Sequence, residues 1–375
     1  QGKGGAMDRV SLRQFILLTF LLGMAMKMFN LPVLMLRMCG KDAFATLVAE
    51  LVIDLALLAL VVCVVMLSGG KNFYELLSAA FGRPVSSIVA FVAAAFWLIK
   101  LYFMLVDVRL FFSNTVFPTD VDALHLIPLM ALLAYFATRP LSGAGRLAEV
   151  LTPFVVVGML VLGILTLPHA DFGGLRPVLA DGGAGVVKGI RLLPVWFGDF
   201  TLLLAVCGKA DGGKKLAFSL IAAIVAFAGL TVLSAVLFAS YGDVPYLLSY
   251  GHSISSIAQY SVGSFKFGRM DLVVFCLWLG AVLLSAGMMA TFVLRSLECA
   301  IGRRAGRVVA AAGAVALFAI MAITVNLNLA TEYAMVYFAL PAAIVQYGLP
   351  VVGLVAVAVC KIKGRKHEKN KRENA

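Results

Sequence analysis

The sequence predicts an all-α polytopic membrane protein, with ten transmembrane helices in two sets of five. Three observations lead there. Of 375 residues, 62% are hydrophobic and 13% are charged, roughly half the charge of a soluble domain. Apolar runs of about 18 residues or more recur along the whole chain, each long enough to cross a bilayer. Lysine and arginine collect in alternate connections between those runs, which sets a direction of insertion. No connection is long enough for a soluble domain. The chain therefore reads as one membrane domain over residues 7–361 and a basic tail over 362–375.

Taken in order, the elements begin with "QGKGGA", which reads as a cloning scar before an expected native start at Met7. The first apolar run is too long for a cleavable signal peptide and lacks a small-residue cleavage pattern. It reads as span 1, about residues 12–37, and is interrupted by "GMAMKMFNLP". Span 2, about 43–67, carries Glu50 and Asp54 four residues apart, on one helix face. Span 3, about 85–112, holds Lys100 near its middle, with Asp107 and Arg109 toward its outer end as an interfacial pair. Span 4 is short, about 123–138, and span 5 covers about 147–167. A Gly- and Pro-rich connection over 168–187 leads to span 6, about 188–207, broken by "RLLPVWFGDF". Spans 7 and 8 cover about 214–240 and 270–298. Between them, the glycines and apolar–polar alternation of residues 241–269 predict an interfacial helix that acts as a lid. Spans 9 and 10 cover about 306–326 and 333–361.

An odd number of spans in each set makes the second set enter from the opposite side, so the halves, about 12–167 and 188–361, are inverted repeats. Both open on a broken span, and interrupted spans at matching positions point to a binding site at the membrane midplane. With the N-terminus in the cytoplasm, about 21 of the 31 lysines and arginines lie inside and about eight outside. Both termini are then cytoplasmic. This accounts for the net charge of +12 without nucleic acid. The tail "KIKGRKHEKNKR" reads as an anchor to an anionic leaflet.

Enzyme chemistry finds no foothold. The four histidines are isolated, and the six cysteines show neither disulfide nor zinc spacing. "GKADGGKK" lacks the phosphate-loop spacing and reads as a cytoplasmic turn. Met24, Met26 and Met28 have no histidine or cysteine beside them and read as packing, so neither metal nor cofactor is expected.

Lys27 carries the argument furthest. It lies about ten residues, or about 15 Å, from the outer end of span 1, beyond snorkelling reach. A lone charge there costs on the order of 3 kcal/mol or more. Asn30 and Pro32 break the backbone beside it, and irregular backbone at that depth must line a cavity or be buried in protein. Two readings stand: a proline kink with a structural ion pair, or a binding site. Asp199 is the first candidate partner, because both broken spans cross near the midplane; Glu50 and Asp54 follow. Lys100 is read either as pairing with Asp54 or Glu50 or as part of the site. Tyr102 reads as a buried aromatic with a hydroxyl partner, and Ser285 and Gly287 as helix packing.

Three stretches carry a resemblance. "VSLRQFILLTFLLGMAMKMFNLP" with "GKDAF" is similar to the opening of the spore germination permeases. "GKNFYELLSAAFG" resembles their first cytoplasmic loop, and "FGDFTLLLAVCGKADGGKKLAFSLIAAIVAFAGLTVL" and "GRMDLVVFCLWLGAVLLSAGMMATFVLRSL" resemble their spans 6 to 8. The family comprises the B subunits of nutrient germinant receptors in endospore-forming bacteria, within the amino acid–polyamine–organocation superfamily. The resemblance implies the LeuT-type fold, an amino-acid-like germinant bound within the membrane, and A and C subunits as partners in the spore inner membrane. It places the substrate site at Gly23, Met24, Met26, Lys27, Leu98, Tyr102, Trp196, Phe197, Gly198, Asp199, Phe200 and Ser285, and Lys27, Glu50, Asp54, Lys100 and Asp199 form an intramembrane charge network around it. Lys27 departs from the family, whose openings carry small or apolar residues there. Such a lysine either stands in for a coupling cation or fills the pocket. Ligand sensing and autonomous proton- or sodium-coupled amino acid transport need the same pocket and both stay open.

Overall fold

The computed structural model describes residues 9–27, 31–112, 126–170, 172–175, 179, 182–240, 270–324 and 328–373. The expected lid at 241–269 and the break residue Asn30 lie outside them. Among the described residues the fold is all helical apart from one isolated bridge between Val10 and Ala210.

Span 1 begins as α1 (Leu12–Met24), started by a capping box in which Ser11 and Gln14 bond each other's backbone. It resumes after the break as α2 (Leu31–Cys39). A short 3-10 turn leads into α3 (Ala43–Leu67). The loop helix α4 (Phe73–Phe81) starts on a second capping box, from Asn72 and Glu75. Its half-buried Tyr74 hydrogen-bonds Ser296, and desolvation raises the phenol above its ordinary pKa. Then come α5 (Arg83–Phe111), α6 (Leu126–Ala137) and α7 (Leu141–Thr166).

Span 6 is α8 (Ala184–Leu192), followed by 3-10 segments Pro194–Trp196 and Asp199–Val206, and the two halves meet at a 58° bend. Pro194 and the left-handed Gly198 (φ +80°) explain the break. The second half continues with α9 (Phe218–Ser240), α10 (Met270–Ile301), α11 (Arg303–Ile323) and α12 (Asn328–Glu373).

Seven described helices are long and apolar enough to cross a membrane, eight if the bent pair is one span. The shorter apolar helices α1 and α6 stand at the places of the expected spans 1 and 4. Helix α12 runs on through the basic stretch at the C-terminus to Glu373.

Helix α5 packs most extensively on α10, which also receives α6, α7 and α11. Helix α1 lies against α9 and α7. Small residues permit close approach. In α8, Gly185 and Gly189 form a GxxxG step, and a Cβ at Gly189 would come within 2.2 Å of Thr46 on α3. Gly287 faces the Phe136 ring of α6, where a Cβ would sit 2.5 Å away.

The N-terminus is tied down as well. Val10 N–H donates to Lys209 O at 2.9 Å, and Asp211 N–H donates back to Val10 O at 2.9 Å. Arg9 adds an exposed ion pair to Asp211 at 3.3 Å. The "GKADGGKK" turn is therefore a docking point for the chain start.

Candidate ligand site at two broken spans

Charged side chains from four spans meet at the two breaks, all with no exposed surface: Lys27, Asp54, Lys100 and Asp199. Lys27 Nζ lies 2.9 Å from Asp54 Oδ2 and 4.0 Å from Asp199 Oδ2. Lys100 Nζ lies 2.7 Å from Asp199 Oδ1. Two cations and two anions make the quartet formally neutral, which lets it exist at a depth where isolated charges are costly. This corrects the expected pairing. Asp54 is the near partner of Lys27, and Asp199 belongs first to Lys100. The second 3-10 segment packs chiefly on α3, and the Lys100 side chain reaches its first residue from α5.

The same charges serve the broken backbone. Gly198 N–H donates to Asp54 Oδ1 at 2.8 Å, and Lys100 donates to Phe197 O at 2.7 Å. Those peptide groups have no helical partner, and a carboxylate and an ammonium supply strong ones. At the break of span 1, Trp278 on α10 donates its indole N–H to Ala25 O at 3.1 Å.

Aromatic rings close the cluster. Lys27 Nζ sits 5.2 Å from the Phe197 ring centre, 5.7 Å from Phe200 and 5.8 Å from Phe227. Lys100 Nζ sits 5.3 Å from the Trp97 ring centre. These distances fall in the range of cation–π attraction, which strengthens when water is absent. Gly23 leaves room for this packing, since a Cβ there would be 3.2 Å from the Phe200 ring.

Several buried polar atoms find no hydrogen-bond partner: Lys27 Nζ, both Asp199 oxygens, Glu50 Oε1, Ser285 Oγ, and both amide atoms of Gln346. The ion pairs thus stand on charge and distance without oriented hydrogen bonds. Buried polar groups normally have such bonds.

The remaining expected residues divide. Phe197, Gly198 and Phe200 surround the quartet, and Met24, Met26 and Trp196 are buried in the core at the breaks. Glu50 is buried one turn from Asp54. Tyr102 instead reaches across to Thr324, its hydroxyl 3.1 Å from Thr324 Oγ1. Leu98 lines a separate cavity. Arg109, expected at the interface, is 1% exposed and donates to Met321 O at 2.9 Å, in the last turn of α11, where the carbonyl end attracts a cation. Asp107 is buried too.

Sequence reasoning missed Gln346 and Thr201. Pro350 in α12 has no N–H to give to the carbonyl four residues earlier, Gln346 O. Thr201 Oγ1 fills that vacancy at 3.1 Å. The Gln346 side chain occupies the space a Cβ on Gly198 would need, its Oε1 2.3 Å from that position. "QYGLP" carried the signal: a glutamine in an apolar run, four residues before a proline.

Comparison with known proteins places this arrangement. A family model described as spore germination protein matches residues 9–328. Among curated proteins none matches the chain. Of solved structures, the substrate-bound outward-open state of a Na+-coupled sialic acid symporter superposes with a TM-score of 0.65 at 13% identity, over 93% of this chain and 80% of that one. The shared feature is the fold, of the LeuT type, and in this chain the described bent pair is Ala184–Leu192 with Pro194–Val206.

Proposed function

The chain belongs to the spore germination protein family, and from that premise we propose that it is the membrane-embedded, ligand-binding B subunit of a nutrient germinant receptor. It is a multi-pass protein of permease type. One observation carries the ligand reading: a neutral quartet of fully buried charges at two broken spans, ringed by polar atoms without hydrogen-bond partners. A small zwitterion is the guest such a site suits. Its ammonium takes oxygens of Asp54 and Asp199, and its carboxylate takes Lys27 and Lys100, so both lattices stay neutral when they merge. Met24, Met26, Trp196, Phe197 and Phe200 exclude water around it. Lys27 here plays the part a coupling cation would play in a symporter.

In this reading the A and C receptor subunits take the signal at the cytoplasmic end, in the spore inner membrane, with both termini cytoplasmic. The test is thermal stabilisation of the purified chain in detergent by each common amino acid. A ligand at about 100 times its Kd adds about 2.7 kcal/mol, a shift of several degrees in Tm. Stabilisation by a subset of amino acids, lost in Lys100→Met, is the expected result. No shift with any of them overturns the ligand reading. Accumulation of the same amino acid by proteoliposomes containing this chain alone would replace receptor with autonomous transporter.

A further inference from the structure

At the end of the bundle that carries the basic loops, a cavity of about 1160 Å³ opens between α4, α5, α6, α10, α11 and the second 3-10 segment of span 6. It is distinct from the charge quartet: none of Lys27, Asp54, Lys100 or Asp199 lines it. Its chemistry is graded. Deep in the bundle it is walled by Leu98, Leu101, Met130, Leu133 and Leu317. Along one wall Ala310, Ala311 and Ala314 of α11 leave a smooth, shallow surface. From Leu101 to Arg83 the wall follows α5 for about 27 Å, the rise of 18 helical residues.

The mouth is cationic. Arg83, Arg139, Lys209, Arg295, Arg303 and Arg307 all line it, from five separate elements or loops. The acidic lining residues are Glu75 and Glu298. Both are engaged: Glu75 closes the α4 capping box, and Glu298 accepts from Arg307 at 2.9 Å. Arg83, Arg139 and Arg303 are exposed at the rim, and Arg139 lies flat over Tyr135, 4.2 Å from its ring centre. Helix α11 presents most of its apolar surface outward, with Val308, Val315 and Ile323 each more than two-thirds exposed, so this wall borders the lipid.

A cationic mouth at the level of the headgroups, above an apolar slot that reaches deeper than one leaflet of about 20 Å, matches one kind of molecule. We propose that this cavity is a binding site for an anionic diacyl phospholipid. The phosphate lies among Arg83, Arg139 and Arg303, and an acyl chain runs down the alanine face of α11 toward Leu98 and Leu317. An acidic peptide would satisfy the rim and leave the deep apolar slot unfilled; a neutral lipid would fill the slot and leave the arginines unused.

The test is native mass spectrometry of the delipidated full chain in neutral detergent. Phosphatidylglycerol and phosphatidylcholine of matched acyl chains are offered at equal concentration, with inorganic phosphate and a poly-glutamate peptide in separate arms. Phosphatidylglycerol adducts are expected to exceed phosphatidylcholine adducts by at least about fivefold, the weight of one basic side chain near a headgroup. Arg139→Gln with Arg303→Gln brings the ratio close to one, while Arg191→Gln, outside the cavity, leaves it unchanged. Ala314→Trp lowers occupancy by filling the slot without touching a charge, which serves if the double variant does not fold. No preference for phosphatidylglycerol, or a preference unaltered by both the arginine pair and Ala314→Trp, overturns the proposal. So does displacement of the lipid by phosphate alone, or by poly-glutamate, which would assign the cavity to a free anion or to an acidic protein segment.

Discussion

Lys27 and Lys100 divide two buried aspartates between them, and the division is measurable. Removing one member of a buried pair leaves an orphan charge and costs about 3–5 kcal/mol. Lys27→Met is expected to lower stability by that order, and adding Asp54→Asn to restore part of the loss, with a coupling of about 1–3 kcal/mol. Pairing Lys27→Met with Asp199→Asn should give a smaller coupling, following the separations of 2.9 and 4.0 Å. Thermal denaturation of the three single and two double variants in detergent checks the order; a larger coupling to Asp199 would reverse the assignment. The presence of charge at this depth was legible from Lys27 and Asp199, because lipid makes any such residue demand a partner. The choice of partner was not, because it depends on how the broken segment packs on α3, which spacing alone does not specify.

Broken spans were the most readable elements, since proline and glycine inside an apolar run leave few alternatives. What holds their ends was not readable. The start of span 1 is stitched to the end of span 6 by two reciprocal backbone hydrogen bonds at Val10. Neither Val10 nor Ala210 has a side chain that announces the contact, because the bonds are all main-chain. Val10→Pro removes the donor to Lys209 O and so breaks half of the stitch. One hydrogen bond is worth about 1 kcal/mol, so amide exchange over residues 209–213 is expected to quicken about fivefold while α5 and α10 stay protected. Unchanged exchange there would mean that the ion pair of Arg9 with Asp211 suffices. Helix α12 shows the converse limit. Its apolar run was legible, and its continuation to Glu373 was hidden by a charged composition that suits a solvated helix as well as a tail.

The whole molecule has one end rich in cationic loops, and the proposed topology puts that end in the cytoplasm. Cysteine labelling on a cysteine-free background tests it with described, exposed positions. Lys41→Cys is expected to react with an impermeant maleimide in intact cells, and Arg304→Cys only after permeabilisation. The opposite pattern inverts the orientation and moves the lipid cavity to the outer leaflet. Fold class was legible at this scale because the bilayer allows so few solutions: helices must satisfy their own backbone, and each must be long enough to cross. The cavity was not legible, because its lining is gathered from five helices and a 3-10 segment far apart in sequence.

Helix α12 also joins two places mechanically. At Gln346 it is pinned to span 6 by Thr201, and at Lys363 its ammonium holds the carbonyl of Ala80 at the end of α4, 2.8 Å away. Seventeen residues separate those pins, about 25 Å of helix. A helix resists compression along its axis, so the segment behaves as a pushrod with a single pivot at Pro350, where a backbone rung is missing. A shift of the Gly198 turn that moves Gln346 is expected to reach α4 along this helix, without a relay of side chains between, so the last helix of the chain joins the broken span to the basic end of the bundle.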